Sequence, residues 1–221
     1  MGESNSHRES RSVERLINLS DGVVAVAITL LALPLVDIGL SASDSSVWQM
    51  LNANSGQVIT FLFTFYVVVA MWAVHNRILN ALAHFDVPIL WLNTTWLALI
   101  VLLPWFSSLY GSMAAGDDTG SGSQGVGMLY WSAMAAVAMV GSAIGWRLAR
   151  RPDLCFDGET PAADLRSRLR GPVLAAYFLL IGVVSLFLPH IANWMPFGII
   201  PLSIVLKSRQ TSDDADGDSD R

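Results

Sequence analysis

In the stretch over residues 15–36, RLINLSDGVVAVAITLLALPLV, a carboxylate, Asp21, sits at the head of an almost wholly apolar segment whose single hydroxyl is Thr29. An ionisable group at bilayer depth costs about 2.5–3.5 kcal/mol on insertion scales, so one kept near a membrane segment argues for a role. By helical phase, Gly22, Val26, Thr29, Leu30 and Leu33 share one face at spacings of three and four. Were several copies to meet on that face, an axis would be ringed by Val26, then Thr29 with Leu30, then Leu33. Aliphatic rings gate pores by dewetting, and a hydroxyl ring replaces part of an ion's hydration shell. The competing account is plain helix structure. Any apolar helix has such a face, and a threonine within it bonds a carbonyl one turn back. Phase alone leaves both open.

Asp21 also has two readings. Ser20 or Asp21 is expected to cap the N-terminus of the helix that follows, where a side-chain oxygen accepts orphan amide hydrogens and the dipole favours negative charge. Compatible with capping is a network in which Asp21 pairs with Arg15 and with donors from Trp72, His75 or Asn76. Removing one partner of such a set leaves a poorly solvated charge, which is costly.

The elements that must position these residues are membrane helices. The chain has 221 residues, 53% of them hydrophobic and 14% charged, with eight tryptophans. A soluble domain averages about 25% charged residues, so the deficit points to a polytopic membrane protein without room for a second sizeable soluble domain. The single cysteine, Cys155, excludes an internal disulfide and a cysteine-based metal site.

Six spans are expected, at about 22–36, 58–75, 87–110, 126–146, 171–188 and 195–206. Residues 1–14 read as a flexible cytoplasmic lead-in, 15–209 as the transmembrane domain and 210–221 as an acidic, disordered cytoplasmic tail. The first span covers only roughly 22 Å at 1.5 Å per residue, short for lipid but adequate for a helix facing protein and water. Residues 37–56 and 111–125 are expected loops. Gly141-Ser-Ala-Ile-Gly145 in the fourth span is a small-xxx-small pattern that lets another helix approach.

All thirteen Lys and Arg residues fall in the N-terminus, the turn between spans two and three, the loop between spans four and five, or the C-terminus. The other three loops carry none. Six spans with both termini cytoplasmic therefore satisfy the positive-inside rule without exception. The arginines of residues 147–170 read as topology determinants, not as a nucleic-acid site.

Enzymatic constellations are thin. His7, His75, His84 and His190 are scattered, no carboxylate-histidine spacing suits a metal, and no phosphate loop or nucleophile elbow occurs. The expectation is a protein that is not an enzyme, has no cofactor, and binds no nucleic acid or soluble substrate. A secondary transporter would show an internal repeat and charged or broken helices at the midplane; spans one to three do not recur in four to six.

Three motifs in order carry a resemblance. Arg15-Leu-Ile-Asn-Leu19-Ser20-Asp21-Gly22 is similar to the Arg-x-x-x-Phe-Ser-Asp signature of the transmembrane protein 175 potassium-channel family. Trp72-Ala-Val-His75-Asn76 resembles that family's Trp-x-x-His-His, and Leu92-Asn93 with Leu103-Pro104-Trp105 resembles its Leu-Asn…Leu-Pro-Phe. Agreement is strongest over residues 15–110. Three positions depart: Leu19 stands for the signature Phe, Val26 for a larger Ile or Leu, and Asn76 for a second His.

The resemblance implies an all-α membrane protein of six transmembrane helices, both termini cytoplasmic, assembled as a plasma-membrane homotetramer with helix one lining a central pore. It implies passive K+ permeation, K+ being permeant ion and not cofactor, through a constriction of Val26, Leu30 and Leu33 with Thr29 as the polar ring. Arg15, Ser20 and Asp21, with Trp72, His75 and Asn76, then form the network that holds the helix. A channel that does not discriminate among monovalent cations, or that passes protons, is the alternative; a secondary transporter is a more distant one.

Overall fold

Five helices long and apolar enough to cross a bilayer stand together in the computed structural model, which describes residues 2–41, 46–114, 121–156, 165–188, 192 and 195–198. In chain order the helices are α1 (Gly2–Leu30), α2 (Leu33–Ser41), α3 (Val47–Ala53), α4 (Ser55–Asn80), α5 (Val87–Ala114), α6 (Ser121–Arg150) and α7 (Leu165–Phe187). Only residues 195–198 of the expected sixth span are described, as a 3-10 turn. The acidic tail at 210–221 lies outside the described residues.

Half of the α6 span is buried within the chain, against 17% of the span that contains α1. The bundle is therefore built around α6, which packs on α5 and α7; α4 lies on α5, and α1 lies outermost across α4 and α5. Aromatic rings fill the centre. Trp131 meets Phe63 edge-on at 5.6 Å, and Tyr130 stacks on Tyr110 at 4.7 Å. The buried Tyr130 hydroxyl lies 2.8 Å from Thr64 Oγ1, whose own proton goes to the Thr60 carbonyl, so the phenol donates. Its hydrogen bond is thus met without water.

Three expectations are corrected at the first helix. The lead-in expected to be flexible is helical from Gly2. Its apolar stripe starts earlier than the sequence reading placed it: Val13 and Leu16 are buried, and Val13 joins Leu79, Leu82, Ile89, Ile144 and Leu148 in a second apolar cluster. Because α1 is continuous through residues 15–22, Ser20 and Asp21 lie in a helix interior and cap nothing. The expected span 22–36 is also interrupted. Pro34 carries no N–H for the Leu30 carbonyl, and the ladder shifts: Ala32 N–H bonds the Thr29 carbonyl at 3.1 Å, and Leu35 N–H bonds Ala32 at 3.1 Å. With α2 continuing beyond the break, the apolar rod runs over 29 residues, Arg11–Gly39. At 1.5 Å per residue that is about 43 Å, ample for a bilayer.

The loop expected at 37–56 is likewise part helical. Ser46 accepts from Gln49 N–H while the Gln49 side chain accepts from Ser46 N–H, a capping box that starts α3.

At the other side of the bundle, two connections tie together. Ala83 N–H bonds the Leu154 carbonyl at 2.9 Å and Phe156 N–H bonds Ala81 at 3.1 Å. Asp86 caps α5 through Ile89 N–H at 3.1 Å and receives Arg147 Nε at 3.0 Å. This end of the bundle also carries Arg77 at the close of α4 and Arg150 at the close of α6. We call it the basic end.

The Arg147 guanidinium, then the Ile89 amide, holds the Asp86 carboxyl below the ordinary carboxylate range against its partial burial. A depressed folded-state pKa means a contribution fully present above the unfolded value of about 3.9 and lost as pH falls through the folded value. Asp86→Asn is therefore expected to lower the melting temperature at neutral pH. The gap to wild type should close as the pH is taken below about 4, and a set of melting curves across pH checks it.

Candidate functional site: one face of the first helix

The helix carries two faces. Leu16, Ser20, Val24, Ala27 and Leu31 recur at three and four residues and are buried against α4 and α5. The opposite stripe, Arg15, Leu19, Gly22, Val26, Thr29, Leu30 and Leu33, is uncovered. Val26 is 58% exposed and Leu33 55%, large values for aliphatic side chains in a stripe that no other part of the described chain covers. All four residues expected at a constriction are exposed, Val26, Thr29 and Leu30 on one face of α1 and Leu33 at the head of α2, and none is spent on the subunit's own core. Thr29 Oγ1 donates to the Val26 carbonyl at 2.7 Å. The carbonyl bond of the plain-helix account is present, and it leaves the oxygen's lone pairs facing outward as acceptors.

What fixes this helix is a buried polar chain on the opposite face. Ser20 Oγ donates its one proton to the Leu16 carbonyl at 2.8 Å and accepts from Asn93 Nδ2 at 3.0 Å. The Asn93 side-chain carbonyl then accepts from His75 Nε2 at 2.8 Å. That order sets the imidazole tautomer, with hydrogen on Nε2 and a lone pair on Nδ1. The ring stacks on Trp96, centroids 3.7 Å apart and planes within 3°. Ser20, His75, Asn93 and Trp96 are all buried. Such a chain spans three helices, and each link costs free energy if broken.

Asp21 lies one residue on, half-buried, and accepts from Trp72 Nε1 at 2.8 Å and from Asn76 Nδ2 at 3.0 Å. Two of the three expected donors are therefore in place. His75 goes instead to Asn93. Arg15 does not meet Asp21: six residues of continuous helix separate them by about 9 Å of rise and about 1.7 turns, which turns the two side chains about 120° apart. Among the described residues, Arg15 has no hydrogen bond or ion pair and stands at the head of the open face.

Asn93 and Trp96 are the functional residues that the sequence reading left out of the site. Asn93 gave a signal, being an amide inside an otherwise apolar span. Trp96 gave none, since a tryptophan in a membrane helix has many uses. Among the described residues, no group of three His, Cys, Asp or Glu side chains could hold a metal.

Five apolar spans, the first of them pinned by a buried polar chain, define a multi-pass membrane protein. The family model described as "Endosomal/lysosomal potassium channel TMEM175" matches residues 15–104, from the signature on α1 to Pro104 on α5. A protein of Streptomyces collinus named as a potassium channel is 29% identical over 155 residues, 69% of this chain and 72% of that one. The protein of Danio rerio named endosomal/lysosomal proton channel TMEM175 is 25% identical over 103 residues, 47% of this chain and 20% of that much longer one. Among solved structures, a lysosomal potassium-selective channel TMEM175 homolog from Chamaesiphon minutus superposes with a TM-score of 0.65 at 21% identity, covering 90% of this chain and 98% of that one. That likeness is one of fold.

Proposed function

We propose that this protein passes K+ passively in preference to Na+, through a pore formed where α1 of four identical subunits meets at the plasma membrane. The observation that carries this is the uncovered stripe of α1, on which Val26, Thr29 and Leu30 stand in phase, with Leu33 exposed just past the break at the head of α2. In this reading Val26, Leu30 and Leu33 narrow and dry the path, and the Thr29 hydroxyl, its proton engaged by the Val26 carbonyl, presents lone pairs to a partly dehydrated cation. Ser20, Asp21, Trp72, His75 and Asn76 hold α1 at the required angle, and Arg15 is presented to the neighbouring subunit. Residues 15–209 constitute the channel domain, K+ is the only ion it needs, and the positive-inside distribution supports cytoplasmic termini.

Purified protein in liposomes with a K+ gradient should show flux that exceeds Na+ flux, and Thr29→Ala should lower that preference. Absence of any flux from correctly assembled protein overturns the reading. A second reading, proton permeation, draws on the animal relatives, which are named as proton channels. A pH-sensitive dye inside the same liposomes tests it, with acidification on an imposed proton gradient as the supporting result.

A further inference from the structure

Away from the open face of α1, a cavity of about 340 Å³ lies between α4, α6 and α7, in the size range of small-ligand sites. Its α4 wall runs from Val67 to Ile78, about 16 Å along the axis. Val67, Met71, Leu174 and Phe178 make its sides apolar. The wall contributed by α6 holds Gly141 and Gly145, the small-xxx-small pair. A Cβ at Gly145 would meet nothing nearer than Ile78 Cδ1 at 3.7 Å, so that glycine borders open space as well as a packed helix.

The cavity has polarity along its length. Arg77, on the last turn of α4, and Arg170, near the start of α7, both line it, and both belong to the basic end of the bundle. The far end, around Val67 and Phe178, has no charge. His75 lines the cavity too: its Nε2 is engaged by Asn93, while its Nδ1 is buried with no hydrogen-bond partner among the described residues. An apolar trough with two guanidinium groups at one end fits an amphipathic anion.

We propose that this groove binds an anionic phospholipid, its acyl chain along α4 and α7 and its phosphate between Arg77 and Arg170. The inference rests on the bilayer location of the chain and not on the pore, so its readout is binding rather than flux.

The test is native mass spectrometry of detergent-purified protein given equal phosphatidylglycerol and phosphatidylcholine. Wild type is expected to retain phosphatidylglycerol several-fold over phosphatidylcholine, and the double variant Arg77→Gln with Arg170→Gln to retain the two equally. Arg150→Gln, which removes an exposed charge at the same end but outside the groove, should keep the preference. Val74→Trp, at an exposed position on the groove wall, should lower retention of phosphatidylglycerol with all arginines present, and it decides the matter if the double variant does not fold. Equal retention by wild type, an Arg150→Gln effect as large as that of the double variant, or full retention by Val74→Trp overturns the proposal. So does a change in subunit number in Val74→Trp, which would make the groove a contact between copies.

Discussion

Val26→Cys, in a Cys155→Ala background, is expected to lose K+ flux by about tenfold or more once a charged thiol reagent is added, because a constriction lined by four copies closes under four adducts. The position is 58% exposed in the single subunit, so the reagent's access is limited only by assembly. Cys155 is buried, which makes wild type a usable unmodified control. Leu180→Cys, exposed on α7 on the lipid-facing side of a span and away from α1, should show no loss of flux. Equal sensitivity at Leu180 and Val26, or a fully modified Val26→Cys that conducts as before, would remove Val26 from the permeation path.

The second large effect concerns stability. Asn93→Leu keeps the approximate volume but deprives the buried His75 Nε2–H of its acceptor and Ser20 of its donor. An orphaned buried polar group costs about 1–3 kcal/mol, so the two losses together should cost about 2–4 kcal/mol. The adjacent Thr94→Leu, at an exposed position, should cost far less. Because the penalty comes from the unpaired partner, adding His75→Phe to Asn93→Leu should recover part of the loss instead of adding to it. Thermal unfolding of the purified protein in detergent separates these outcomes. An Asn93→Leu variant as stable as Thr94→Leu would show that the chain of bonds contributes nothing.

Much of this arrangement was legible in the chain, for reasons that differ by residue. The spans that became α4, α5, α6 and α7 announce themselves by length and apolarity, and the phase of Val26, Thr29, Leu30 and Leu33 follows from helical geometry once a helix is granted. Trp72 and Asn76 were named as donors to Asp21 because motif and spacing put them at the same end of a neighbouring helix. The start of α1 was not legible: Glu, Ser and Arg residues look like a tail, and only the burial of Val13 and Leu16, with Val13 meeting α4, α5 and α6, shows otherwise. The capping box is legible in the sequence as Ser46-x-x-Gln49 ahead of α3.

The pairing of His75 with Asn93 and not with Asp21 lay beyond the sequence in a stricter sense. Both partners sit at the same end of α4, and which carbonyl reaches the imidazole depends on how α5 is rotated against it. The same holds for Arg15. Its link to Asp21 was plausible by proximity in the chain, but an unbroken helix sends the two side chains to different faces.

The central claim is K+ permeation along the joined faces of α1, and the most direct measurement is the reversal potential under bi-ionic conditions, with K+ on one side of a planar bilayer and Na+ on the other. The account predicts a reversal displaced toward the K+ equilibrium value, and a displacement that shrinks in Thr29→Ala. Reversal at zero in wild type, or a current indifferent to which cation is present, would contradict it.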